Sequence, residues 1–387
     1  MPILFSDVTV VPMDGAPQVL EHAYVAVEGT KIASVGTEPP EGTFDRVVDG
    51  AGKVLLPGFV NAHTHLPMTL MRGYGGGCDL HTWLNQYIFP AEARLDSRAV
   101  AAGAGLGLAE MIASGVTCVA DMYMHTGTIA EQILEAGISA NLSCGGVYFG
   151  APEDFSPETC GDCRNQAALT EEWHGAGAGQ ILVDASVHGE YTSNPPLWRW
   201  MAEYAAEHRL GMHVHVSETQ SEHQASLERW GKTPIQALDG CGVWDCGRSL
   251  AAHCVYTTEE DWALMAEKGI SCVHNPWSNL KLGSGVAPIP AMMRAGVHVA
   301  LGTDGMSSHN SADLFSDIKL AAVLHNGVER DPMAVSAWAA LEMATVNGAR
   351  ALGRDTGVIA PGKTADLILV DLSAPNLIPC HDPVEDL

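Results

Sequence analysis

The feature that most constrains this chain is a repeat. Short apolar, β-rich runs recur at 54–61, 116–121, 138–143, 181–187, 211–216, 249–253, 270–274 and 297–302. Helical patterns separate most of them, at 97–113, 197–207, 258–267 and 313–325 among others. Runs so continuously apolar read as strands buried on both faces, which is the signature of a parallel sheet. Eight of them alternating with helices over about 300 residues predict an α/β fold, a (β/α)8 TIM barrel. Ahead of the repeat, short β segments at 8–11, 24–28, 31–35 and 46–49 are broken at Gly15, Gly29-Thr30, Pro39-Pro40 and Gly50. β character returns at 365–371. The expectation is a small β-sandwich domain made of 1–55 plus 356–387, beside a barrel domain at 56–355.

Charge narrows the partners. Twenty Lys and Arg stand against 46 Asp and Glu, a net −26, and such a field repels nucleic acid and anionic membranes. A small neutral or cationic substrate fits better. With 47% hydrophobic and 17% charged residues the chain is not disordered, and it has no uninterrupted apolar run long enough to span a bilayer. The first residues lack a cationic region ahead of an apolar stretch, so no secretory signal is expected and the expected location is cytoplasmic. Homo-oligomerisation is left open. Ten scattered cysteines are expected as reduced thiols. Cys160 and Cys163, with Cys241 and Cys246, could be read as a four-thiolate zinc site, but loop cysteines are the reading retained.

In a barrel of this kind the chemistry sits at the C-terminal ends of the strands. The first run ends in His63-Thr-His65, and strand period two puts both imidazoles on one face, able to hold one metal. The fifth ends with His213 and His215, followed by Glu218; the sixth ends in His253 and the eighth in Asp304. Periodicity allows either His213 or His215 as a ligand. His215, nearer the strand end, is chosen, and His213 is expected one layer below. Three imidazoles and a carboxylate suit one divalent ion, zinc with iron as the alternative. No lysine ends the fourth run, which argues against a carbamylated lysine bridging two metals.

These residues carry a resemblance. Pro57-Gly-Phe-Val-Asn-Ala-His-Thr-His65, His215-Val-Ser-Glu-Thr219, Ala251-Ala-His-Cys254, His274-Asn-Pro-Trp-Ser-Asn279 and Leu301-Gly-Thr-Asp-Gly305 strongly resemble the amidohydrolase superfamily. Within it the chain is most similar to the 5′-methylthioadenosine/S-adenosylhomocysteine deaminases and their chlorohydrolase-like relatives, over nearly its whole length. The resemblance implies metal ligands at His63, His65, His215 and Asp304. It implies a proton shuttle at Glu218, a catalytic histidine at His253, and substrate contacts at Trp83, Glu92 and His188 besides Glu218 and Asp304. Two departures stand out. Cys144 occupies the position of a family arginine, and Glu190 adds a carboxylate expected near the mouth; both shift the pocket toward neutral or cationic 5′ groups.

The implied reaction is hydrolytic deamination of an adenosine-type nucleoside to its inosine analogue and ammonia. Asp304 and His253 would take a proton from water acidified on the metal, and Glu218 would protonate N1 of adenine. A guanine or pterin deaminase or a triazine chlorohydrolase is the alternative, and a non-catalytic scaffold a third reading.

Overall fold

Gly58 separates two strands that are continuous in sequence but belong to different sheets. Lys53–Pro57 joins a six-stranded sheet, whereas Phe59–His65 enters the barrel. The run read as one barrel strand over 54–61 is therefore two strands, and His63 and His65 lie within the second. A Cβ at Gly58 would overlap the Thr117 side chain, so only glycine lets the chain pass so close to the neighbouring strand.

The structure, a computed structural model, describes residues 1–15 and 17–387. Its six-stranded sheet runs in the order Leu367–Asp371, Lys53–Pro57, Ile3–Val10, Leu20–Glu28 and Lys31–Gly36, with Arg46–Asp49 pairing the first half of Ile3–Val10. Both ends of the chain thus meet in one sheet, Leu369 opposite Leu55 in antiparallel register. It has a core of its own, built from Val8, Val10, Ala23, Val25, Ile32, Leu55 and Ile359.

The barrel strands are β1 (Phe59–His65), β2 (Val116–Met122), β3 (Ser139–Ser143), β4 (Ile181–Val183 and Ala185–Gly189), β5 (Met212–Val216), β6 (Ser249–His253), β7 (Ile270–His274) and β8 (His298–Leu301 and Asp304–Gly305). Each pairs in parallel with the next. Asp304 then pairs with Thr64, which returns β8 to β1 and closes the ring. Every residue of β1, β5, β6 and β7 is buried, as expected for strands covered by side chains inside and helices outside.

β8 is broken at Gly302-Thr303, where Gly302 N–H donates to the His274 carbonyl and Thr303 N–H to Asn61 Oδ1. A Cβ on Gly302 would lie 2.8 Å from the His63 carbonyl oxygen. Glycine there lets β8 approach β1 and swing Asp304 toward the two histidines.

Among the described residues no helix is long and apolar enough to cross a membrane. Cys160 and Cys163 open the helix Gly161–Trp173 rather than sitting in a loop, and among the described residues they form no ligand cluster with Cys241 and Cys246.

Candidate metal centre and active site

Three strand ends deliver four side chains to one point. His63 Nε2 and His65 Nε2 lie 3.3 and 3.2 Å from Asp304 Oδ1, and His215 Nε2 is 3.4 Å from His65 Nε2. Each imidazole is oriented from behind. His65 Nδ1 faces the Met122 carbonyl at 2.6 Å, and His215 Nδ1 the His188 carbonyl at 2.6 Å. Both nitrogens must therefore carry the proton, which leaves the Nε2 lone pairs pointing inward. His63 Nδ1 meets His213 Nε2 at 2.8 Å, one layer down. Asp304 Oδ2 accepts from Ser278 (2.5 Å) and Ser308 (2.8 Å), so Oδ1 is the oxygen left for the cluster.

The donor set fits a divalent ion. His63 Nε2 is buried without a hydrogen-bond partner, and the ligand atoms of His63, His65 and Asp304 all lie within 4.8 Å of one another. Burial would raise the Asp304 carboxyl, yet the facing imidazoles of His63 and His65 outweigh it and hold the group well below its ordinary range. On His65 burial acts downward, but Asp304 and the Met122 carbonyl push its pKa up to about 9. The cluster thus draws in positive charge, which a metal cation supplies in place of a proton. Left-handed backbone at Ser217, His253, Cys254 and Asp304, with φ between +47° and +74°, concentrates strain where these side chains are aimed.

Beside the cluster stand two further groups. His253 Nδ1 faces Asn279 Oδ1 at 2.8 Å, which turns Nε2 toward Glu218 Oε2, 3.9 Å away. Glu218 is 5% exposed and its Oε1 accepts from Ser284 Oγ at 3.3 Å. Burial raises its pKa above the usual carboxylate value. Its backbone N–H donates to Glu222 Oε2 at 2.7 Å, and a reciprocal Thr219–Glu222 cap starts the helix Gln220–Trp230 and fixes the turn that carries it.

His65, His215, Glu218, His253 and Asp304 line one cavity of about 360 Å³, which Trp83, Glu92 and His188 also line. The Trp83 indole N–H donates to the Tyr74 carbonyl at 3.1 Å, so the ring is fixed. Burial raises the Glu92 carboxyl and lowers His188 to about 4.

Residues 54–386 match the model of the amidohydrolase family. The chain belongs to the amidohydrolase family. A 5-methylthioadenosine/S-adenosylhomocysteine deaminase of Moorella thermoacetica is 42% identical over 98% of this chain and 88% of its own length. A 5′-deoxyadenosine deaminase of Methanothermobacter thermautotrophicus is 41% identical over 94% of this chain and 84% of its own. Among solved structures, an adenosine deaminase from Xanthomonas campestris with bound zinc superposes with a TM-score of 0.91, at 35% identity, over 99% of this chain and 87% of that one.

One expected feature of this amidohydrolase is misplaced. Glu190 does not line the cavity; it is 1% exposed and takes a two-pronged ion pair from Arg229 (2.5 and 3.2 Å) and a 2.5 Å bond from Trp230 Nε1. Its charge is spent on holding the helix Gln220–Trp230 against the barrel. Another lining residue, Tyr123, went unnoticed in the sequence although it stands one residue past β2 and was findable by the strand-end rule; Asp162, at the start of a helix where no periodic signal marks it, lies in the segment 145–165 read as shaping the 5′ pocket but was not singled out.

Proposed function

We propose that this amidohydrolase is a metal-dependent hydrolytic deaminase of adenosine-type nucleosides, converting the 6-amino group to the inosine analogue and releasing ammonia. The observation that carries the reading is a buried carboxyl, Glu218, held 3.9 Å from His253 Nε2 at the edge of the His63–His65–His215–Asp304 cluster. Relatives named as adenosine-nucleoside deaminases at 41–42% identity support the same reaction class.

His63, His65, His215 and Asp304 would hold the ion, with zinc chosen over iron because three imidazoles and a carboxylate suit it and the Xanthomonas protein binds it. When bound, the ion supplies a water acidified toward a pKa of about 7. His253 Nε2 and the Asp304 carboxylate, whose Oδ1 also faces the ligand cluster, would take the proton lost by water. Glu218, kept protonated nearer neutrality by its burial, gives its proton to N1 as C6 becomes tetrahedral. The proton taken from water is then passed on to the amino group, the C6–N bond breaks, and the C6 hydroxyl returns a proton to Glu218, so that water and nucleoside yield the inosine analogue and ammonia. Glu92 would accept from the ribose hydroxyls, while Trp83 packs against the nucleoside and His188 contacts it. The two-ended sheet, with 1–55 plus 356–387 as its unit beside the 56–355 barrel, contributes no residue to the cavity lining among the described residues. Ten free thiols are in keeping with a cytoplasmic setting.

The test is ammonia release by zinc- or iron-loaded protein from adenosine, 5′-deoxyadenosine, 5′-methylthioadenosine, S-adenosylhomocysteine, adenine and guanine. Turnover of nucleosides but not bases is expected. Turnover of a base alone, or of nothing, would overturn the reading.

A further inference from the structure

The amine end and the 5′ end of the cavity are built from opposite sides of the barrel. Glu218, His253 and Asp304 belong to the ends of β5, β6 and β8. The facing wall is formed after β3 and by the helix that follows, from Cys144, Gly145, Val147, Phe149 and Asp162. A nucleoside whose C6 sits at the first group, with its ribose at Glu92, directs its 5′ substituent at the second.

That second wall has one sign of charge. Asp162 lies in the first turn of the thirteen-residue helix Gly161–Trp173, where burial raises its pKa while the helix dipole favours its ionised form. Its Oδ2 accepts from the Val147 N–H at 2.8 Å, which ties it to the loop lining the cavity. Glu153, Asp154 and Glu158 add acid to the segment before it. The nearby cation, Arg164, donates instead to the Glu158 carbonyl at 3.1 Å. Among the described residues, the cavity is lined by four carboxylates (Glu92, Asp162, Glu218, Asp304) and by no lysine or arginine. The rest of this wall is a thiol and apolar surface, with Phe149 78% exposed at its rim.

Resting on the deaminase reading, we propose that this cavity selects adenosine nucleosides whose 5′ group carries no negative charge, and that Asp162 is the residue that rejects a carboxylate there. A 5′-alkylthio or 5′-deoxy group meets apolar surface and leaves no charge unpaired. An amino-acid tail can place its ammonium against Asp162, but its carboxylate must leave water with no cation to receive it and a like charge beside it.

The experiment compares kcat/KM for 5′-methylthioadenosine, S-adenosylhomocysteine and the carboxamide of S-adenosylhomocysteine, which keeps the bulk and loses the charge. The expected result is 5′-methylthioadenosine ahead of S-adenosylhomocysteine by about 100-fold, with the carboxamide recovering most of the difference. Asp162→Asn, which retains an acceptor for Val147 N–H, should narrow the ratio about 10-fold, chiefly by raising the S-adenosylhomocysteine value. Comparable turnover of both natural nucleosides overturns this inference while leaving the deaminase reading intact. So does a carboxamide rejected as strongly as the acid, since bulk is then the cause. Absence of ammonia from every nucleoside, adenosine included, overturns both.

Discussion

His213 Nε2 lies 2.8 Å from His63 Nδ1, so one buried imidazole sets the orientation of another. His213 is 1% exposed, and burial lowers its pKa to about 3, which keeps it a neutral acceptor for the His63 Nδ1 proton. Replacing it with Phe removes the acceptor and frees the His63 ring to rotate. Metal affinity should drop about 10–100-fold, as measured by competition with a chelator of known strength. An unchanged affinity would show that strand geometry alone orients His63.

Glu218 approaches His253 Nε2 to 3.9 Å and accepts from Ser284, and it is not one of the residues proposed to hold the ion. Glu218→Gln should therefore retain normal metal content while losing about 10²–10⁴-fold in kcat. Elemental analysis and ammonia release on one preparation separate the two effects. Near-normal turnover would remove Glu218 from the proton path.

Glu92 reports on ribose. If its carboxylate accepts from the sugar hydroxyls, Glu92→Ala should lower kcat/KM for adenosine about 10–100-fold, the loss of hydrogen bonds to a charged group. The same substitution should matter much less for 3′-deoxyadenosine. Equal losses on both substrates would mean that Glu92 only shapes the wall.

Glu222 predicts a pH dependence of stability. Burial and then the nearby Glu218 charge raise its pKa to about 8, against the backbone N–H groups that lower it. A carboxyl raised in the folded state binds more protons folded than unfolded. Its stabilising contribution is complete below the unfolded value of about 4.3 and is lost as pH rises through about 8. The melting temperature should decline between pH 5 and pH 8, and Glu222→Gln should flatten that slope. Parallel melting curves for the two proteins across this range would contradict the assignment.

Much of this protein is legible without coordinates. Parallel strands buried on both faces must be apolar throughout, so the runs that became β2, β3 and β5 to β8 could be counted directly. Polar residues at their ends then stand out against that background, which is how His63, His65, His215, Glu218, His253 and Asp304 were found. Period two also assigns His213 and His215 to one side of β5 and orders them by depth.

What only the tertiary structure decided depends on partners far away in the chain. Whether 54–61 was one strand or two rested on Gly58 meeting Thr117 across the sheet. Glu190 was expected at the mouth, but Arg229 and Trp230, about forty residues later, claim its oxygens. Asp162 lies on no strand, so periodicity could not aim it at the cavity; its bond to Val147 N–H does. The same holds for Ser278 and Ser308, which occupy one Asp304 oxygen and leave the other for the histidines. Local pattern determines which face and depth a side chain takes, because strand geometry repeats along the chain. Which of its atoms remain free is set by neighbours that only folding brings within hydrogen-bonding distance.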